Sequence, residues 1–83
     1  MYRVIIAPAA QRQIDKLEHS IQVRVLTRIR GLADVPRPPG VQKLAGQEAY
    51  RIRVGDYRII YTITDEQMLV WVIRMAHRRE VYR

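Results

Sequence analysis

Eighty-three residues allow one domain, residues 1–83, and a chain this short buries only about 60% of its unfolded surface, so its core is modest. The absence of cysteine excludes disulfides and thiolate metal ligands. His19 and His77 stand far apart with no acidic cluster beside them, so neither a metal nor a cofactor is expected. The net charge of +7 is carried almost wholly by arginine, since Lys16 and Lys43 are the only lysines; it calls for an anionic partner and, with the arginines on predicted strands, favours nucleic acid over a membrane.

Residues 2–7 are rich in valine and isoleucine and read as a first strand. This apolar run is too short for a signal peptide or a membrane span, so a soluble, cytoplasmic protein is expected. Pro8 ends the strand and suits the first position of a helix, where its missing N–H is not needed. Ala10, Ile14 and Leu17 fall on one helical face. Ser20 is the predicted cap of a second helix, with Ile21, Val25, Ile29 and Leu32 recurring every three or four residues, and His19 at the junction. Arg24 and Arg28 lie one turn apart on that helix, and they read as a solvated face or as a contact for RNA or an acidic partner.

The segment Asp34-Val35-Pro36-Arg37-Pro38-Pro39-Gly40 cannot continue a helix. A strand then starts near Ala49. Gly55-Asp56 predicts a two-residue type II′ hairpin turn, which places Val54 opposite Tyr57 and Arg53 opposite Arg58. A second turn follows at Thr64–Gln67. Met68 to Met75 is nearly continuously apolar and reads as a strand buried on both faces, with Trp71 in the core. Tyr50, Tyr57 and Tyr61 share the apolar parity of their strands and are also assigned to the core. The expected fold is α+β, in the order β-α-α-β-β-β: a small antiparallel meander sheet with an N-terminal helical hairpin packed on one face.

Along Tyr50–Val54, Arg51 and Arg53 point to one face, and Tyr50, Ile52 and Val54 to the other. Any single arginine here reads as a solvated side chain. Arg51, Arg53, Arg58, Arg78 and Arg79 taken together read as a phosphate-binding face, because several guanidiniums converge where acidic residues do not. Lys43, just before the hairpin, is a further candidate phosphate contact. Glu80 between the terminal arginines reads as an ion-pair partner.

Lys43-Leu44, the run Tyr50-Arg51-Ile52-Arg53-Val54-Gly55-Asp56-Tyr57-Arg58-Ile59-Ile60-Tyr61 and the ending His77-Arg78-Arg79-Glu80-Val81-Tyr82 resemble the RelE toxin family of the RelE/ParE superfamily. The resemblance covers nearly the whole chain. It implies a type II toxin–antitoxin toxin acting as a ribosome-dependent mRNA endoribonuclease, cutting A-site message without a metal by attack of a 2′-hydroxyl on the adjacent phosphate. It also implies, as partners, a cognate acidic, RelB-like antitoxin, the ribosome with its A-site mRNA, possible higher-order toxin–antitoxin complexes and no membrane. By the same resemblance Arg58 stabilises the phosphate, Arg78 serves as acid or leaving-group stabiliser, and Tyr82 stacks on the base and orients the 2′-hydroxyl. Arg51 and Arg53 stand where well-known relatives carry lysines. Arginine stays protonated, so it clamps phosphate but is a poor base. The base is then Tyr82, His77 or a group of the ribosome, and the sequence does not choose. Two other readings stay open: a ParE-type inhibitor of DNA gyrase, and an inactive toxin-fold module that binds an antitoxin.

Overall fold

The computed structural model describes residues 1–77. Its elements are β1 (Arg3–Ile6), α1 (Pro8–Asp15), α2 (His19–Gly31), β2 (Gln42–Lys43), β3 (Tyr50–Val54), β4 (Tyr57–Thr64), a 3₁₀ turn (Asp65–Gln67) and β5 (Leu69–His77). The α+β architecture and its element order are as the sequence predicts. The antiparallel meander β3-β4-β5 is extended on both sides into the order β1-β5-β4-β3-β2. The two-residue β2 forms one edge, and β1 pairs parallel to β5 at the other. A parallel neighbour needs a long connection, which here includes both helices and the first two strands of the meander.

Pro8 opens α1 as expected. The second helix starts earlier than its predicted cap. Glu18 occupies the cap position, and Ser20 lies inside the first turn, where its hydroxyl donates to the Glu18 carboxylate at 2.8 Å. Gly55 sits at φ +58° with Asp56 on the ordinary side of the map, which is the II′ pattern. The resulting register pairs Val54 with Tyr57 and Arg53 with Arg58, as predicted.

Both helices pack on the same face of the sheet. Ala10 and Ile14 of α1, with Val25 and Ile29 of α2, bury against Ile52, Val54, Ile59, Tyr61, Val70, Val72 and Met75. Tyr61 is fully buried; Tyr50 and Tyr57 are half-buried against the same cluster. β5 departs from the reading of a strand buried on both faces. Trp71 is 44% and Ile73 39% exposed, because among the described residues no helix covers the second face of the sheet. β1 ends opposite Val72, so among the described residues no strand pairs with the outer edge of β5 beyond it. Gln13 of α1 accepts the Met75 N–H there at 2.8 Å, so that this edge donor is not left unsatisfied. No helix among the described residues is long and apolar enough to cross a membrane.

The proline segment is held by contacts remote in sequence. Arg37 donates from Nη1 and Nη2 to the two Asp65 carboxylate oxygens at 3.2 and 2.9 Å, and the Tyr2 hydroxyl donates to the same carboxylate at 2.6 Å. The Arg37 guanidinium also lies 5.3 Å from the centre of the Tyr50 ring, and the Tyr61 hydroxyl donates to the Pro36 carbonyl at 2.7 Å. The Arg37 and Tyr2 hydrogen bonds hold the Asp65 carboxyl below the usual carboxylate range. A depressed native value means that this clamp is complete above the ordinary carboxylate pKa and is lost as pH falls through the lowered one. Asp65→Asn is expected to speed amide exchange at Val41, whose N–H bonds the Pro38 carbonyl, by about two- to fivefold, the factor an exposed ion pair carries. Exchange at Val41 unchanged in the variant would show that the clamp does not hold the loop.

Candidate nucleic-acid interface

The face of the sheet away from the helices carries the arginines. Cross-strand register puts Gln42, Arg51, Ile60 and Arg74 in one row across β2 to β5, and Arg53, Arg58 and Ala76 in the next. Between these rows and Gly40 lies an open groove of about 310 Å³, lined by Gly40, Gln42, Arg51, Ile52, Arg53 and Arg58. Three of the sequence-predicted residues, Arg51, Arg53 and Arg58, therefore meet at one place.

Each guanidinium is held differently. Arg51 donates from Nε and Nη2 to Gln42 Oε1 at 2.8 and 2.6 Å, so the short edge strand β2 aims it. Arg53 is exposed and donates from Nε to the Gly55 carbonyl at 3.0 Å, which ties it to the hairpin turn. Arg58 is buried, with 8% of its surface exposed. Like charges directly across a ladder are destabilising. Arg53 and Arg58, with Arg51 beside them, concentrate positive charge in a concave site. Guanidinium forks match phosphate oxygens two at a time, so a phosphate suits such a site.

Among the described residues, two other predicted ones, Lys43 and His77, do not line the groove. Lys43 pairs across β2–β3 with Tyr50, on the opposite parity from Arg51, and its Nζ lies 3.7 Å from the Glu48 carboxylate. His77 pairs with Tyr57 on the helix-side parity, and its ring meets the Tyr57 ring edge-on with centres 5.1 Å apart. Arg78, Arg79 and Tyr82 lie outside the described residues. Among the described residues, no group of three or more histidine, aspartate or glutamate side chains is arranged to hold a metal ion.

Sequence reasoning missed Gln42 and Arg74. Gln42 sits in a strand too short to leave a periodic signal, while Arg74 is masked by its apolar neighbours and reaches the open face through a register shift opposite Ile60 and Tyr61. It also missed how α2 approaches the hairpin. A second hollow of about 380 Å³ is lined by Val23, Arg24, Thr27, Arg28, Arg53, Val54 and Gly55, and a β-carbon on Gly55 would meet both terminal nitrogens of Arg24 at 3.8 Å. Arg24 and Arg28 thus extend the positive surface around the end of the hairpin.

Residues 4–82 match the family described as the ParE toxin of the type II toxin–antitoxin system, parDE. Toxin RelG of Mycobacterium tuberculosis is 34% identical over 99% of this chain and 97% of its own length. The fold is similar to the archaeal RelE–RelB complex from Pyrococcus horikoshii, with TM-score 0.84 and 29% identity over 93% of this chain and 94% of the other. It is similar also to the isolated Escherichia coli RelE toxin, with TM-score 0.80 and 26% identity over 99% of this chain and 92% of the other.

Proposed function

The chain belongs to the RelE family of the RelE/ParE toxin superfamily, and on that premise we propose that it is a ribosome-dependent mRNA endoribonuclease. The observation that supports this reading is the convergence of Arg51, Arg53 and Arg58 on one groove, with Arg58 buried at its wall. In the reaction the 2′-oxygen of one nucleotide forms a bond to the adjacent phosphorus as its proton passes to a base. The P–O5′ bond then breaks and the 5′-oxygen takes a proton, leaving a 2′,3′-cyclic phosphate and a 5′-hydroxyl. Negative charge grows on the non-bridging oxygens at the transition state, and preorganised cations in a partly desolvated groove act on that charge.

Arg51, Arg53 and Arg58 hold the phosphate in this reading, and Arg78 assists the leaving oxygen. Arginine is a poor general base, so none of the three groove arginines takes that role in this reading. His77 pairs with Tyr57 on the helix-side parity, and this reading therefore favours Tyr82 or a group of the ribosome as the base over His77. Arg79 and Lys43 are further phosphate contacts in this reading, Lys43 from the other parity of the edge strand.

The regulator in this reading is an acidic, RelB-like antitoxin, since the Pyrococcus horikoshii toxin fold was solved as a RelE–RelB complex. An acidic segment that folds on binding would neutralise the groove. The cytoplasm, where ribosomes are, is the proposed location. Primer extension on message bound to ribosomes tests the proposal: purified protein should produce cuts within A-site codons. Growth arrest on expression with no such cuts would sink it. The ParE description of the matching family favours a second reading, inhibition of DNA gyrase, and loss of gyrase supercoiling with purified protein would select it.

A further inference from the structure

We propose that the open face of the sheet carries a second RNA contact beyond the groove, in which Trp71 stacks on a nucleobase and Arg74 holds a backbone phosphate. The inference rests on the nuclease reading and extends its binding surface along the strand of substrate.

Trp71 pairs with Thr62 and with Ile5 on the face opposite the core, and 44% of its surface is exposed. A large indole in the middle of a sheet face that no element of the described chain covers is out of place in a structural role, since Trp carries the largest apolar surface to bury. Arg74 stands beside it. Counting across the ladder, Arg74 pairs with Ile60 and Ile60 with Arg51, so Arg74 is two strands from Arg51, about 10 Å at ordinary strand spacing. The register shift in β5 leaves the consecutive residues Ile73 and Arg74 both exposed, and such bulges commonly re-aim side chains beside functional sites.

Charge decides the class of occupant. By cross-strand parity this face carries Arg3, Arg51, Arg53, Arg58 and Arg74, and among the described strand residues there is no aspartate or glutamate at all. A flat aromatic platform on the same sheet face as a cationic groove is an arrangement by which sheet proteins hold single strands. Cations track the backbone and an aromatic ring stacks on a base of any identity. A single-stranded RNA running from the groove toward β1 meets Arg74 and then Trp71.

Trp71 is the only tryptophan, so its emission reports on this contact directly. The probe is a short, labelled 2′-O-methyl oligoribonucleotide of mixed sequence, which lacks the hydroxyl needed for cleavage. Binding should quench Trp71 emission. By anisotropy, Trp71→Ala should bind about tenfold more weakly, as loss of one stacked base predicts, while Trp71→Phe keeps most of the affinity. Arg74→Ala should lower the slope of log affinity against log salt by about 0.7, the share of one phosphate on a single strand. Thermal unfolding of each variant checks that the fold is kept.

Oligonucleotide binding that leaves Trp71 emission unchanged, with Trp71→Ala at wild-type affinity, overturns the inference. In that case weakened binding by Arg58→Ala would leave the groove reading intact. No oligonucleotide binding, or quenching only by an acidic polypeptide, also overturns it, and the A-site primer extension then judges the nuclease reading separately.

Discussion

Replacing Arg58 with alanine is expected to relieve growth inhibition and to slow cleavage on ribosomes about 10²–10³-fold, the loss that follows removal of one preorganised donor to a developing anion. The effect should exceed that of Arg51→Ala or Arg53→Ala. Arg58 is the buried member of the trio, and a charge interaction at partly desolvated walls is screened far less than one at an exposed side chain. Arg58→Lys keeps the charge but loses the planar fork, so it should recover part of the rate. Burial also gives Arg58 a structural share, and thermal unfolding of both variants separates the two contributions. A folded Arg58→Ala that cuts at the wild-type rate would move the chemistry out of this groove.

Tyr61→Ala is expected to remove a large share of the domain's stability and to lower its melting temperature sharply. Truncating a buried aromatic costs about 3–5 kcal/mol. A domain of this length has about 4–12 kcal/mol in total at the usual 0.05–0.15 kcal/mol per residue. Tyr61 is fully buried, stacks on Tyr50 with ring centres 6.0 Å apart, and fastens the proline segment through its bond to the Pro36 carbonyl. Tyr61→Phe keeps the ring and loses only that bond, so it should fold with stability reduced by about 1 kcal/mol.

The same hydroxyl sets an alkaline limit. Burial pushes the Tyr61 phenol up to about 12. A group whose native pKa is raised contributes stability that is complete below its unfolded value, near 10 for a phenol, and is lost as pH rises through the native one. Thermal unfolding followed by circular dichroism between pH 9 and pH 12 should therefore show a decline that is smaller in Tyr61→Phe. An identical decline in both proteins would show that Tyr61 is not the group responsible.

Much of the site was legible because a hairpin is local. The Gly55-Asp56 turn, the alternation of Arg51 and Arg53 with apolar residues and the opposition of Arg53 to Arg58 follow from a period of two and a two-residue loop. Pro8, the helical spacings and the break at the prolines are equally local, and they led to the correct order of elements.

What needed the tertiary structure is what depends on contacts far apart in the chain. The parallel seating of β1 on β5 unites residues 66 positions apart, from Arg3 and Leu69 to Ile6 and Val72, and nothing in either segment specifies the other. The clamp of Tyr2, Arg37 and Asp65 is of the same kind. Trp71 reads as core in an apolar run, yet which face a strand buries is decided by where the helices land, and both land on the other side. His77 and Lys43 likewise carry basic side chains but lie on the other parity from Arg51 and Arg53. An arginine-rich hairpin able to hold phosphate follows from local pattern alone, because a two-residue turn sets its own register. Only the packed sheet decided which of those arginines share a groove, because faces are assigned by register and by the helices that cover one of them.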